Sequence, residues 1–265
     1  MDIYTWLELL TRKRIFYLLL ILVPIILPPL TASGLGYLFD LPNFSFYLAG
    51  ALFDYKSLYA HWMPALHAAI LIAFLLLLIF RQKIGRLFSI FVAANLALSI
   101  YTQTMVTTSR YGHVVLTELF IWYGLVVALW LWEAIIQKSN LLFRGGMRPW
   151  WLIPLAIVAF WDPDMPWDLS LDYFVHGFAP VAFCMLTPIY VSVLLFSAPS
   201  VNLPLLRIHT FIGLIVGFLS LFISLVQDSS AGVYWILLHA PLIIISLFGF
   251  YHGMRLRPAS PQAAI

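Results

Sequence analysis

Eight apolar runs constrain the fold of this chain more than any other feature of its sequence. A helix needs about 20 consecutive apolar residues to cross the hydrocarbon core of a bilayer, which is roughly 30 Å thick. The runs lie at residues 15–34, 60–80, 87–107, 113–136, 149–163, 172–196, 207–227 and 232–254. The sequence therefore predicts an all-α integral membrane protein, a bundle of about eight transmembrane helices that forms one polytopic domain over residues 1–265. The fifth run is the shortest.

The distribution of positive charge predicts which ends of these helices face the cytoplasm, because cytoplasmic loops carry an excess of Lys and Arg. Only Lys56 and Arg110 fall on one side of the alternating loops, and the other twelve cations fall on the opposite side. Those twelve are Arg12, Lys13, Arg14, Arg81, Lys83, Arg86, Lys138, Arg144, Arg148, Arg207, Arg255 and Arg257. Both termini are therefore predicted to be cytoplasmic, with an amphipathic segment at 1–14 and a polar tail at 258–265. The predicted location is the inner membrane of a bacterium or archaeon.

Composition excludes several classes of protein. The chain is 63% hydrophobic and only 9% charged, and its cations do not cluster on a soluble face, so no nucleic-acid partner is expected. The single cysteine, Cys184, excludes an internal disulfide, a cysteine-based zinc site and an iron–sulfur cluster. The expected partners are the lipid bilayer and other membrane subunits.

Polar side chains near the outer ends of the helices are the main functional feature, because polar groups are costly in hydrocarbon and usually have a function there. The even-numbered helices, which run inward, carry them within about eight residues of their outer ends, which is the outer third of the bilayer at about 1.5 Å per residue. They are His61, His67, His113, Glu118, Asp172, His176 and His239. In the third helix, Gln103 joins them, and Asn95 is the only strongly polar residue near mid-depth.

Two kinds of chemistry are consistent with this outer cluster. Glu118 or Asp172 beside a histidine would act as a catalytic acid or base. His67, His176 and His239 would bind a metal as imidazole ligands from facing helices. The sequence has no His-x-x-His or Glu-x-x-His spacing, so the alternative is that these histidines are interfacial residues in contact with lipid headgroups.

A second pair of histidines, His209 and His252, is predicted at the inner ends of the last two helices. Together with His67 and His239 it gives two pairs at two depths, as a carrier with two b-type haems requires. His239 and His252 are thirteen residues apart, which corresponds to about 20 Å of rise but also to a rotation of about 220° onto different helix faces. The glycines of the Gly213-x-x-x-Gly217 stripe would admit a flat macrocycle, and the alternative is plain helix packing.

Three hypotheses follow for the function. The first is a b-type haem or quinone-linked electron-transfer anchor. The second is a membrane-embedded enzyme that acts on a lipid or isoprenoid at the outer leaflet. The third is a non-catalytic subunit or assembly factor of a larger membrane complex, for which the short loops are suited.

Overall fold

The computed structural model describes residues 2–40, 59–141, 149–161, 170–226 and 230–256, and most of them are helical. The α-helices within these ranges are Ile3–Leu10 (α1), Arg14–Ile26 (α2), Met63–Phe80 (α3), Gly85–Thr104 (α4), Thr117–Ile136 (α5), Leu152–Trp161 (α6), Tyr173–His176 (α7), Phe183–Ser197 (α8), Leu203–Val226 (α9) and Ser230–Arg255 (α10). The strands are Leu30–Thr31 (β1), Met105–Thr108 (β2) and Gly112–Val115 (β3). The predicted tail at 258–265, most of the loop at 36–59 and the acidic segment at 162–168 lie outside the described residues.

The prediction of a helical membrane protein is confirmed at a coarse level. Three helical stretches in the described ranges are long and apolar enough to cross a membrane: Ala60–Thr104, Thr117–Ile136 and Leu203–Phe222. A fourth results if Tyr173–Val181 and Phe183–Ser197, which meet at 90°, form one span.

The chain reverses direction within the longest of these stretches. Arg81 has a φ of 52°, in the left-handed region that disrupts an α-helix, and it begins a short 3-10 helix at Arg81–Ile84. The rings of Phe74 and Phe88, on either side of this break, lie 5.6 Å apart. Fourteen residues of straight helix would separate them by about 21 Å. Thus α3 and α4 fold back towards each other, as the sequence predicts for two separate helices.

A small antiparallel sheet joins the ends of three predicted helices, with the strand order β1-β3-β2. The sequence instead predicted helix through residues 105–107 and 113–115. The strands form because this stretch is rich in β-branched Val and Thr, which favour extended backbone, and because Gly112 adopts a φ of 66° at the turn. The first helix likewise ends at Ile26 rather than at residue 34, since Pro28 and Pro29 follow it.

Helix α8 forms the centre of the bundle. Every residue of α8 except Cys184 is buried, and the helix contacts α4, α6, α9 and α10. By contrast, α3 exposes a series of large apolar side chains, including Leu71, Leu75 and Ile79. This exposure indicates that α3 faces lipid at the edge of the bundle.

The buried side chain of Arg207 attaches the N-terminal helix to the bundle. Its Nε donates to the carbonyl of Gly253 at 2.7 Å, and its Nη1 donates to the Glu8 carbonyl and to Thr11 Oγ1, both at 3.1 Å. The Glu8 carboxylate lies 3.8 Å from Nη2 and supplies a counter-charge. Arg207 therefore connects α1, the first turn of α9 and the last turn of α10.

Candidate functional site

The sixth predicted helix is broken, and the break is the most distinctive feature of the described structure. The short helix α7 ends at Gly177, whose ψ of 166° is extended, and a 3-10 turn at Ala179–Val181 precedes α8. Pro180 lies inside that turn and has no N–H with which to continue a helix. The two halves of the segment therefore meet at 90° instead of forming the continuous helix predicted for residues 172–196.

Side chains of α4 satisfy the backbone groups that this break exposes. Asn95 Nδ2 donates to the Pro180 carbonyl at 2.7 Å, and Thr102 Oγ1 donates to the Val181 carbonyl at 2.8 Å. The N–H of Phe183, at the start of α8, donates to Gln103 Oε1, also at 2.8 Å. Irregular backbone is tolerated at membrane depth only where protein or water satisfies it. This gives Asn95 and Gln103 a structural role within the bundle.

Below the break lies a central polar cluster, formed by Asn95, Trp130, Thr187, Tyr190 and His209. All five side chains are buried. His209 Nδ1 accepts from the Trp130 indole at 3.3 Å, so the ring proton lies on Nε2, which donates to Thr187 Oγ1 at 3.2 Å. The Tyr190 hydroxyl donates to Asn95 Oδ1. These hydrogen bonds fit only a neutral His209.

The depth of His209 differs from the sequence prediction. Helix α9 begins at Leu203, four residues before the predicted start at residue 207. His209 is therefore the seventh residue of the helix and lies about 9 Å from its end, since each residue adds about 1.5 Å. It belongs to the interior of the bundle and not to its inner surface.

Asp172 and His176 form a pair at the other end of the break. His176 Nδ1 donates to Asp172 Oδ1 at 2.8 Å, and the two side chains are 52% and 67% exposed for His176 and Asp172 respectively. Because Nδ1 is the donor, the lone pair of Nε2 remains available on the exposed side of the ring. A carboxylate that orients an imidazole in this way is the arrangement found in general-base catalysis.

His67 lies near this pair but inside the protein. Only 2% of its surface is exposed, its Nδ1 contacts the Met63 carbonyl at 2.9 Å, and its ring packs edge-on against Phe160 at 4.9 Å. His176 is within electrostatic range of His67. No hydrogen-bond partner is found for Nε2 of His67 among the described residues, and the nearby Phe160 backbone does not meet hydrogen-bond geometry. The structure thus brings Asp172 and His176 into contact, and it packs their helix α7 against α3, which carries His67.

Glu118 is a further predicted site residue. It lies in the first turn of α5, and both it and Cys184 are within electrostatic range of Tyr123. The Tyr123 ring stacks on Phe183 at 3.9 Å. Glu118 therefore lies near Tyr123, which packs against the start of α8, whereas Asp172 contacts His176 of α7.

The histidines predicted to bind haem differ in their burial and in their contacts. His239 is buried in α10, whereas His252 lies in the last turn of that helix, 4.2 Å from the ring of Phe248. Both nitrogens of His209 already have partners within the central polar cluster. An axial ligand needs a free nitrogen lone pair, so His209 in this packing does not fit haem ligation.

The glycines of the Gly213-x-x-x-Gly217 stripe lie against helix α10, so they do not leave an open surface for a haem. A Cβ built on Gly213 would collide with Ser246, and one on Gly217 would lie 2.7 Å from Ile243. Both neighbours belong to α10, which packs closely on α9. The stripe therefore supports the helix-packing alternative.

The three-histidine metal set stays a prediction. Within the described ranges, no three His, Cys, Asp or Glu side chains lie close enough together to hold one metal ion. His67 and His176 each use Nδ1 for a hydrogen bond, as metal-binding imidazoles usually do with the nitrogen that does not bind the metal. The sequence analysis did not identify Trp130, Thr187 and Tyr190, because each is unremarkable within its own helix.

No protein-family model, curated protein or solved structure matches this chain.

Proposed function

We propose that the chain crosses the inner membrane of a bacterium or archaeon eight times, with both termini in the cytoplasm. The contacts between helix ends support this topology. At the predicted inner side, Arg207 joins Glu8 to Gly253, and Glu133 accepts from the Asn202 side chain at 2.7 Å. At this side also, Tyr4 stacks on Trp132 at 6.0 Å.

The predicted outer ends meet one another in the same way. Strand β1 pairs with β3, Asp40 forms an ion pair with Arg110, and Gln103 accepts from Phe183. A missed crossing would reverse every later helix and would place inner ends against outer ends. The contacts described here contain no such pairing.

We propose further that the protein is a membrane-embedded enzyme that acts on a lipid or isoprenoid at the outer leaflet. The observation that carries this proposal is the 2.8 Å contact between Asp172 and His176 at the exposed start of the broken span. A basic nitrogen there faces the level of the lipid headgroups, where the polar part of such a substrate would lie. The stretches between the predicted membrane helices are short and leave little room for a soluble active site.

In this proposal His176 Nε2 removes a proton from water or from a lipid hydroxyl. The resulting imidazolium donates from both nitrogens, and the Asp172 carboxylate stabilises its charge. The oxygen that has lost its proton then attacks the ester carbon or phosphorus of the substrate. The ester bond to the departing oxygen breaks, and that oxygen takes the proton back from Nε2 of the His176 imidazolium. His67 Nε2, which is buried and has no hydrogen-bond partner among the described residues, would accept a hydrogen bond from a second polar group of the substrate.

Electron transfer and a non-catalytic role in a larger complex stay as predictions from the sequence. The electron carrier would require His209 to release Trp130 or Thr187 before it could bind haem b. An absorption spectrum of the purified protein, oxidised and reduced, distinguishes this hypothesis from the enzyme, because only a haem protein shows a b-type difference band.

The enzyme hypothesis is tested by incubating the full chain in vesicles of total lipid from its expression host and by analysing the lipids by mass spectrometry. A lipid species should decrease and a product should accumulate with the native protein, and both changes should be lost in His176→Asn and Asp172→Asn. The control is His61→Asn, since His61 is exposed, lies beside Trp62 at 5.1 Å and forms no ion pair with a described carboxylate. Equal turnover by His176→Asn and the native protein would refute the catalytic role.

A further inference from the structure

A cleft with a volume of about 520 Å³ lies where α3 ends and the chain reverses. It is lined by Leu78, Ile79, Phe80, Arg81, Gln82 and Lys83. The first three are apolar and between 47% and 60% exposed, as expected for side chains in contact with lipid tails. The last three are polar or cationic and follow directly at the end of the helix. The cleft therefore has an apolar wall and a positively charged rim.

The two cations of this rim have no counter-ion among the described residues. Neither Arg81 nor Lys83 forms a salt bridge with a described residue. The nearest glutamates at this end of the bundle, Glu8 and Glu133, are buried and hydrogen-bonded elsewhere. The cleft thus carries two uncompensated positive charges at the boundary between the apolar helix and its polar turn.

The turn that presents these cations is fixed to the rest of the bundle. Gln82 Nε2 donates to the Ser139 carbonyl at 3.3 Å, and Gln82 Oε1 accepts from the Leu141 N–H at 3.1 Å. The left-handed φ of Arg81 determines the reversal on the preceding side. Hence the rim is held between the end of α3 and the segment after α5, and it is not a freely moving loop.

We infer that this cleft binds one anionic phospholipid. Its phosphate lies between Arg81 and Lys83, and its acyl chains lie along the exposed apolar residues at the end of α3. Two features select this ligand: the charge is complementary to a phosphate, and the apolar wall is complementary to a hydrocarbon chain in the surrounding bilayer. The site is at the opposite end of the bundle from Asp172 and His176, so it is independent of the proposed catalysis.

The size of the effect follows from the charge of the rim. A basic residue near an anionic membrane surface contributes about 1 kcal/mol, which corresponds to about a 5-fold change in affinity. Replacing both cations by glutamine should therefore weaken binding about 25-fold if their contributions add.

The test uses the full chain in detergent micelles, titrated with dioleoyl-phosphatidylglycerol, with native mass spectrometry to count the retained lipids. The variant is Arg81→Gln with Lys83→Gln. The matched control is Lys13→Gln with Arg14→Gln, which removes two exposed cations outside the cleft. Circular dichroism and thermal unfolding establish that both variants are folded.

We expect one phosphatidylglycerol to bind the native protein and the control alike, and to bind the cleft variant far more weakly. Phosphatidylcholine with the same acyl chains should bind no better to the native protein than to the cleft variant. Equal losses in the control and the cleft variant would indicate a diffuse surface charge and would overturn the inference. Displacement of the lipid by inorganic phosphate at equal concentration would do the same, since it would indicate an anion site that does not recognise lipid.

Discussion

Replacing Asn95 by leucine should loosen the broken span, because it removes the polar atoms of the side chain while keeping its branched shape. Asn95 donates to the Pro180 carbonyl at 2.7 Å and accepts from the Tyr190 hydroxyl. Leucine has the same number and branching of side-chain heavy atoms but can do neither. The Pro180 carbonyl and the Tyr190 hydroxyl would then lack their partners in a buried environment.

The magnitude follows from the two hydrogen bonds that are lost. Hydrogen bonds between helices in membranes contribute about 0.6 kcal/mol on average and about 1.7 kcal/mol at most. Losing two should therefore favour local opening of the break by about 1 to 2 kcal/mol, which is about a 5- to 30-fold change in the opening equilibrium. Tyr190→Phe removes only one of the two and should give about a 2- to 5-fold change.

Cys184 provides the assay, because it is the only cysteine and it lies in the first turn of α8, directly after the break. It is half-buried, so a maleimide should react with it mainly when the segment opens. When opening and closing are fast compared with labelling, the labelling rate follows the population of the open state. The rate should therefore increase in Asn95→Leu by the factor given above.

The matched control is Ser99→Ala, one turn further along α4. Ser99 is also fully buried, but its hydroxyl contacts only the Asn95 carbonyl of its own helix, at 3.5 Å. If Cys184 reacts no faster in Asn95→Leu than in Ser99→Ala, the hydrogen bonds of Asn95 do not hold the break closed.

Three further predictions concern stability. Arg207→Met should destabilise the protein by about 3 to 5 kcal/mol, because it leaves the buried carbonyls of Glu8 and Gly253 and the Thr11 hydroxyl without their donor. The exposed Arg14→Met should have little effect in the same unfolding measurement. Gly249→Ala places a methyl group 2.6 Å from the buried methyl of Thr210 and should lower the free energy of unfolding by about 1 to 3 kcal/mol. In Gly124→Ala the new methyl meets nothing within 4 Å, so thermal unfolding should show a neutral or stabilising effect. The pKa of Asp2 is lowered by the N–H of the first turn of α1, so the charged Asp2 stabilises that helix above the usual carboxyl pKa, and this stabilisation is lost as the pH falls through the lowered value. Proteolysis of the N-terminus should therefore be faster in that acid range. Asp2→Ala should show the faster proteolysis at neutral pH as well.

The sequence predicted the positions of most helices because hydrophobic length is a local property. The runs at 60–80, 87–107 and 207–227 each contain a helix close to the predicted range. The ends were less accurate, since strand formation at β2 and β3 depends on pairing with residues distant in sequence. The reversal at Arg81 was correctly anticipated from charge, because cations interrupt an apolar run.

The broken span shows what local reasoning misses. Gly177 and Pro180 are visible in the sequence, but hydropathy averages over the break, and prolines are common in membrane helices. Whether the helix breaks depends on partners in another helix, here Asn95 and Gln103, and their proximity to residues 180–183 is not a local property.

The candidate site was likewise predicted only in part. Asp172 and His176 were both named as candidate site residues, but their contact with each other was not predicted. The environment of His209 was not accessible from sequence, since its partners Trp130 and Thr187 come from two other helices. A neutral histidine enclosed by an indole and a hydroxyl is a property of the assembled bundle.

The proposed function requires Asp172 and His176 to face outward and the N-terminus to face the cytoplasm, and this sidedness is measured directly with single cysteines. In a Cys184→Ala background, His113→Cys and His176→Cys test the predicted outer side, and Lys13→Cys and Lys138→Cys test the predicted inner side; all four native residues are exposed. A membrane-impermeant maleimide should label the first two in intact cells and the last two only after the membrane is opened. Labelling of Lys13→Cys or Lys138→Cys in intact cells, or failure to label His176→Cys, would contradict the proposed topology and the outer-leaflet site.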